Sequence, residues 1–258
     1  MHGYDCDFMN LQEFFTEHKR AALAFSGGVD SSFLLYAAGK YGCDVTAYYA
    51  KAEFQPEFEY EDAVRLADEL GARIKILHIS ALSDEKVRRN DNKRCYYCKT
   101  QIFSQILQAA HDDGYTTIID GTNASDDVND RPGMKALEEM KVLSPLRICG
   151  LTKSEIRKLS REAGLFTWDK PSYACLATRI PTGTEITLKG LRITEEAESR
   201  LMEMGLRNFR IRKIGSTAKL QVTKDQMQFV MDNREQICDK LKSFYDSITL
   251  DLEARADE

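Results

Sequence analysis

Two glycines and three serines crowd into seven residues at positions 26–32, SGGVDSS, directly after the apolar run AALAF and before the helical pattern SFLLYAAGK. Gly27 and Gly28 can take positive φ and expose successive backbone amides, and a helix starting at Val29 turns its positive end toward the same point. Amides converging on a helix N-terminus suit phosphate, with the Ser26, Ser31 and Ser32 hydroxyls as further donors. Asp30 stands where a carboxylate would hold Mg²⁺. No G-x-x-x-x-G-K-[ST] occurs, so the lysine that steadies β,γ transfer in P-loop ATPases is missing. Holding the β,γ-pyrophosphate of ATP as a leaving group fits the loop better.

A second loop, IIDGTNASDDVNDRPG, follows an apolar segment ending at Asp120. Thr122 and Asn123 can hydrogen-bond a nucleotide, Asp126 and Asp127 can hold a metal, and Arg131 can balance phosphate charge. Val29, Lys51 and Gly121, at the ends of neighbouring elements, complete the expected ATP-binding set.

The thiols form a third group. Cys95 and Cys98 are spaced C-x-x-C in RCYYCK, and Cys175 lies in KPSYACLATR. A C-x-x-C alone is compatible with a redox pair, half of a zinc site or part of an iron–sulfur site. Three thiolates without a fourth ligand would leave one iron of a [4Fe–4S] cluster open. Lys170 and Arg179, near Cys175 in sequence, would favour its thiolate. Cys6, Cys43, Cys149 and Cys238 are isolated and read as packing or surface thiols.

The elements that must position these groups alternate. Helices are expected at 9–19, 29–41, 58–70 and 97–112, and strands at 21–25, 44–51, 73–79 and 116–120. This rhythm predicts a doubly wound, mainly parallel α/β sheet, whose ligands bind beyond the carboxyl ends of the strands. A capping box, Thr152 to Glu155, opens a helix over 152–163. The turn-rich DKPSYACLATRIPTGT suggests a junction between domains at 1–180 and 181–258. Beyond it a helix at 191–204, strands at 208–214 and 218–222, a helix at 224–242 and a strand at 244–251 predict a small α+β domain. Thr223 and Gln226 read as a second capping box.

The 258 residues are 43% hydrophobic and 30% charged. No apolar run approaches the roughly 20 residues of a bilayer span, and MHGYDCDFMNLQEFF has no secretory pattern, so a cytoplasmic protein without membrane partners is expected. A net charge of −5 disfavours a large nucleic-acid footprint and favours a small-molecule partner.

Together SGGVDSS, RCYYCK, GTN with DD and RPG, VLSPLR, LTKSEIRKLSREAGL and KPSYACLATRIPTGT resemble the LarE family, within the PP-loop ATP pyrophosphatase superfamily. The resemblance is strong over roughly 20–190. It implies an ATP-dependent sulfur transferase that adenylates a carboxylate of a pyridinium-3,5-dicarboxylate mononucleotide, releases pyrophosphate and replaces AMP by sulfur. The thiocarboxylate product belongs to nickel-pincer nucleotide synthesis. One form of the family sacrifices a single cysteine, leaving dehydroalanine; the other carries a [4Fe–4S] cluster on three. Cysteines at all three matching positions, Cys95, Cys98 and Cys175, imply the cluster form, with Cys175 as both ligand and catalytic residue beside Asp30.

The resemblance further implies a homo-oligomer and an external sulfide donor that the sequence does not identify. Arg179, and Arg210 with Arg212 alternating in RNFRIRK, are candidates for the substrate phosphate. The histidine-containing turn that the resemblance implies after these arginines is KIGSTAK here. A tRNA thiolase of the same superfamily and a non-catalytic adenine-nucleotide-binding module are the alternatives. The first would need RNA affinity that an acidic chain does not suggest; the second leaves the cysteine set without a purpose.

Overall fold

A computed structural model describes residues 10–126 and 137–255, so Asp127, Arg131 and Cys6 lie outside the described residues. The chain divides into two compact units. One comprises Met1–Ala52, Glu57–Ile79 and Cys95–Lys170; the other comprises Glu53–Pro56, Ser80–Arg94 and Pro171–Glu258.

In the first unit, the described strands β1 (Arg20–Phe25), β2 (Asp44–Lys51), β3 (Arg73–His78) and β4 (Ile118–Asp120) form a parallel sheet in the order β3–β2–β1–β4. Around it lie α1 (Leu11–Glu17), α2 (Val29–Lys40), α3 (Glu57–Glu69), α4 (Arg94–Asp112) and α5 (Lys153–Glu162). β1 and β2 are buried along almost their whole length, including Ala21, Ala22, Leu23, Ala47 and Tyr48. Burial on both faces explains why they read as unbroken apolar runs rather than as alternation. Phe33, Leu34, Leu35, Ala37 and Ala38 of α2 share one core with Leu23, Leu146, Ile156 and Leu165. The fold is therefore the α/β arrangement expected, with the loops after β1 and β4 at adjacent strand ends.

Local signals set the helix boundaries. Asn10 and Glu13 form a reciprocal capping box at α1. Thr152 and Glu155 do the same at α5, as their spacing predicts. α4 starts three residues earlier than expected, which places both residues of the C-x-x-C inside the helix.

The second unit contains α6 (Leu188–Met202), β5 (Arg210–Ile214), β6 (Thr217–Gln221), α7 (Met227–Asp232), α8 (Arg234–Leu241) and β7 (Ser247–Leu250). β5 and β6 are antiparallel across a two-residue turn in which Gly215 takes φ +59°, and β7 joins β6 in parallel. Ala197 and Leu201 of α6 pack on Ile211, Ala218 and Leu220 of this sheet and on Ile237 and Leu241 of α8. The single helix expected over 224–242 is broken at Asn233, whose side-chain amide donates to the Phe229 carbonyl at 2.8 Å and competes with the backbone ladder. The second capping box does not form. Gln226 donates to Thr223 Oγ1 at 2.6 Å and accepts from the Arg207 amide at 2.8 Å, tying the turn to the segment before β5.

Candidate active site

The loop after β1 is held by its own hydroxyls. Ser26 Oγ lies 3.0 Å from Ser31 Oγ, and the Ser26 and Gly28 amides donate to Ser31 Oγ and Ser26 Oγ at 3.3 and 3.4 Å. Gly28 is the N-cap of α2 with no side chain to occupy the first-turn amides of Val29 and Asp30. Gly27 takes φ +71°, and a Cβ there would sit 3.0 Å from Ala63 Cβ and 3.2 Å from the Glu59 carbonyl. Glycine is thus required both by the backbone angle and by the close approach of α3. Ser32 is fully buried and its Oγ has no hydrogen-bond partner among the described residues.

Asp30, in the first turn of α2, faces Lys153, the first residue of α5: Lys153 Nζ donates to Asp30 Oδ2 at 2.5 Å. Asp30 Oδ1 is buried and has no hydrogen-bond partner among the described residues. Burial lifts the Asp30 carboxyl above the usual aspartate range, the Lys153 ammonium pulls it down, and the like charge of Asp126 adds to the rise. Arg157, one turn further along α5, also opposes it. A carboxylate with one satisfied and one unsatisfied oxygen beside helix amides that no side chain caps is suited to a divalent cation carried by a polyphosphate.

The loop after β4 meets the first loop directly. A Cβ on Gly121 would lie 2.9 Å from the Ser31 amide nitrogen, so the strand end runs against the opening of α2. Buried Asp120 accepts from Thr122 Oγ1 at 2.6 Å and from Ser144 Oγ at 2.7 Å. Asn123, also buried, accepts from the Ser125 amide at 2.8 Å, and its own amide donates to Asp126 Oδ2 at 3.0 Å. Arg147 ties the turn together through the Asn123 and Asp126 carbonyls. Much of the hydrogen-bonding capacity of Thr122 and Asn123 thus goes into shaping the loop.

Lys51, at the end of β2, pairs with Glu57 at 2.5 Å and lies 4.2 Å from the centre of the Tyr60 ring. Lys170 pairs with Asp62 at 2.7 Å and approaches the Gly27 carbonyl at 3.5 Å.

Cys95 is exposed and Cys98 half-buried, one turn apart at the start of α4. Residues three apart share a helix face, so the two thiols are spaced to bind a common partner. Cys175, half-buried in the second unit, caps a 3-10 turn over Leu176–Arg179. Its carbonyl accepts from the Thr178 amide and hydroxyl, both at 2.9 Å, and the next amide, of Leu176, donates to the Phe54 carbonyl at 2.9 Å. Among the described residues no group of three or more His, Cys, Asp or Glu side chains is gathered as a metal-ligand set.

Arg179 is only 1% exposed. Its Nε and Nη2 donate to the two oxygens of equally buried Glu198 at 2.9 Å each, and its Nη1 donates to the Ala174 carbonyl at 2.6 Å. Glu198 also accepts from Tyr173 Oη at 2.5 Å and from the Ile211 amide at 2.8 Å. The guanidinium named as a candidate for substrate phosphate is therefore spent on bracing the residues beside Cys175. The basic neighbours expected to favour the Cys175 thiolate are each matched by a carboxylate, Arg179 by Glu198 and Lys170 by Asp62. Arg212 donates to Gln221 Oε1 at 3.0 Å and to the Thr178 carbonyl, and shares a face of β5 with Arg210. Burial, with Arg210 and Arg179 nearby, lowers the affinity of Arg212 for its proton, and Glu198 opposes that shift.

Of the remaining thiols, Cys43 donates to the His18 carbonyl at 3.2 Å, and burial pushes Cys43 and Cys149 up to about 11. Inert packing thiols behave in this way. Lys153 and Glu198 were not named from sequence. The Thr152 capping box places Lys153 at the first position of α5, yet nothing local points it at Asp30; Glu198 reads as one polar residue on an amphipathic helix.

No family model matches the chain. An uncharacterized protein of Synechocystis sp. is 34% identical over 95% of this chain and 92% of its own length. A pyridinium-3,5-bisthiocarboxylic acid mononucleotide synthase of Lactiplantibacillus plantarum is 30% identical over 91% of this chain and 86% of its own length. A tRNA-specific 2-thiouridylase of Thermotoga petrophila is 27% identical, over 69% of this chain and 64% of its own length.

Proposed function

Because the chain belongs to the LarE family of sulfur-transferring PP-loop enzymes, we propose that it activates a carboxylate of a pyridinium-3,5-dicarboxylate mononucleotide with ATP and replaces the activated oxygen by sulfur. The product is a thiocarboxylate for the nickel-pincer cofactor. The observation that carries this reading is the Asp30 carboxylate at the opening of α2, with Oδ1 unpartnered among the described residues and beside the first-turn amides that Gly28 leaves open.

The chemistry divides into two displacements. Carboxylate is a poor electrophile because its leaving group would be oxide. The substrate carboxylate oxygen attacks the α-phosphorus, the bond to the bridging α–β oxygen breaks, and pyrophosphate departs with the electron pair. The amides of the 26–32 turn and the Ser26 and Ser31 hydroxyls stabilise the charge on that leaving group, and Asp30 would hold a Mg²⁺ that, when bound, would supply further charge stabilisation. A sulfur nucleophile then adds to the acyl carbon and AMP leaves. Thr122 and Asn123, with Asp127 and Arg131, complete the nucleotide site in this reading, and Arg210 and Arg212 take the substrate phosphate. The bidentate Glu198 pair makes Arg179 a brace rather than a phosphate ligand.

The spacing of Cys95 and Cys98 on one helical face supports two of the ligands of an iron–sulfur group. Cys95, Cys98 and Cys175 would hold a [4Fe–4S] cluster, which when bound would supply the sulfur atom. The residues of this chain contribute orientation: the Glu198–Arg179 pair and Thr178 fix the backbone on both sides of Cys175.

The test is product and protein mass after turnover of the anaerobically purified protein with ATP, sulfide and the dicarboxylate mononucleotide. The reading expects a thiocarboxylate and an intact Cys175. Loss of H₂S from Cys175 would instead establish the sacrificial route, and thiolation of tRNA but not of the mononucleotide would overturn the substrate assignment.

A further inference from the structure

Asn90 takes φ 57° and is 1% exposed, four residues before the first residue of α4, the helix that carries the C-x-x-C. We propose that Asn90 and Arg94 form a positioning clasp: together they hold the backbone entering Cys95 on the turn that Cys175 opens, so that the three thiols can share one metal group. This inference rests on the three-thiol reading given above.

Asn90 spends both side-chain amide protons on the chain that follows Cys175, donating to the Pro181 and Thr184 carbonyls at 2.9 and 3.0 Å. Its backbone carbonyl accepts from the Gly183 amide at 2.8 Å. The side-chain oxygen accepts from Arg94 Nη1 at 2.7 Å, and the same nitrogen donates to the Ala177 carbonyl at 3.0 Å, inside the 3-10 turn Leu176–Arg179. Asparagine suits this place on two counts. It tolerates the left-handed backbone region, and it supplies two donors and an acceptor at once.

These contacts all lie within the second unit, whose segment Ser80–Arg94 ends at the residue before Cys95. Consecutive Cα atoms are about 3.8 Å apart, so fixing Arg94 on Ala177 sets the backbone of Cys95 relative to the turn headed by Cys175. The strap continues toward the N-terminus: the Ile186 amide donates to the Arg88 carbonyl at 2.9 Å, and Arg88 pairs with Glu185 at 3.1 Å. The Glu198–Arg179 pair braces the backbone at Cys175 itself, whereas Asn90 and Arg94 relate that backbone to the start of α4. Metal–ligand distances tolerate displacements of only about 0.2 Å, so loosening the clasp should release Cys175 from a shared metal before it unfolds the chain.

Cobalt(II) added to the reduced, iron-free full chain tests this, because its sulfur-to-metal absorption reports the number of thiolate ligands. Cys175→Ser should lose about a third of the wild-type absorption, one thiolate of three. Asn90→Gly accepts the same backbone angle and removes only the side chain, so it should fall to the level of Cys175→Ser. Arg94→Ala, which leaves the Asn90 contacts with Pro181 and Thr184, should fall equally with a melting temperature near that of the wild type, and Arg94→Lys should restore most of the loss. Full wild-type absorption in Asn90→Gly, beside the loss in Cys175→Ser, would overturn the inference. If Asn90→Gly does not fold, Arg94→Ala decides, and full absorption there would overturn it equally. If Cys175→Ser absorbs as the wild type does, the three-thiol reading itself fails and the clasp falls with it.

Discussion

Glu198 grips Arg179 through two parallel hydrogen bonds of 2.9 Å, with both side chains buried, and the third guanidinium nitrogen holds the carbonyl of the residue before Cys175. Cutting one partner from a buried ion pair leaves an uncompensated charge, at a cost of roughly 3–5 kcal/mol. Glu198→Ala should lower the melting temperature markedly and increase the alkylation rate of Cys175 in the folded protein. An unchanged alkylation rate would show that the pair does not position the thiol.

At Asp30 stability and function are set against each other. Its folded pKa is raised by burial, so the stabilising effect of its proton is fully present below the unfolded pKa and is lost as pH rises through the folded one. Asp30→Asn should therefore raise the thermal stability of the nucleotide-free protein at neutral pH while reducing pyrophosphate release by about a hundredfold or more. The same carboxylate makes Mg²⁺–ATP binding weaken as pH falls through its raised pKa. Titration by calorimetry in Asp30→Asn should lack that inflection.

Gly27 and Gly121 report on the loop geometry itself. Gly27→Ala places a side chain at φ +71° and against Ala63, and Gly121→Ala drives one toward the Ser31 amide. The conformational strain at Gly27 alone is on the order of 1–2 kcal/mol. Both variants should lose ATP affinity. A Gly121→Ala protein with wild-type affinity would argue that the two loops do not act on one ligand.

The iron–sulfur proposal has its own readout. Anaerobically purified protein should contain iron and acid-labile sulfide with broad visible absorption, and Cys98→Ala should lose most of both. Neither iron nor sulfide in the wild type would remove the cluster from this account.

The sheet was legible because burial on both faces of β1 and β2 forces unbroken apolar runs, and α5 because Thr152 and Glu155 satisfy each other across three residues. The start of α4 was not, since RCYYCK opens with neither a cap residue nor apolar periodicity. The break at Asn233 turns on one side-chain amide choosing the Phe229 carbonyl, a competition that composition does not reveal. Lys153 meeting Asp30, and Glu198 joining Tyr173, Arg179 and Ile211, are consequences of topology. Each depends on where distant elements pack, which no local pattern encodes.

The central claim is that ATP is split between its α and β phosphates to activate an acid. Quantifying nucleotides by ³¹P NMR after incubation with ATP, Mg²⁺ and the pyridinium dicarboxylate mononucleotide tests it most directly. The account predicts AMP and pyrophosphate in equal amounts, dependent on the mononucleotide and abolished in Asp30→Asn. ADP with orthophosphate, or no cleavage with any dicarboxylate mononucleotide, would contradict it.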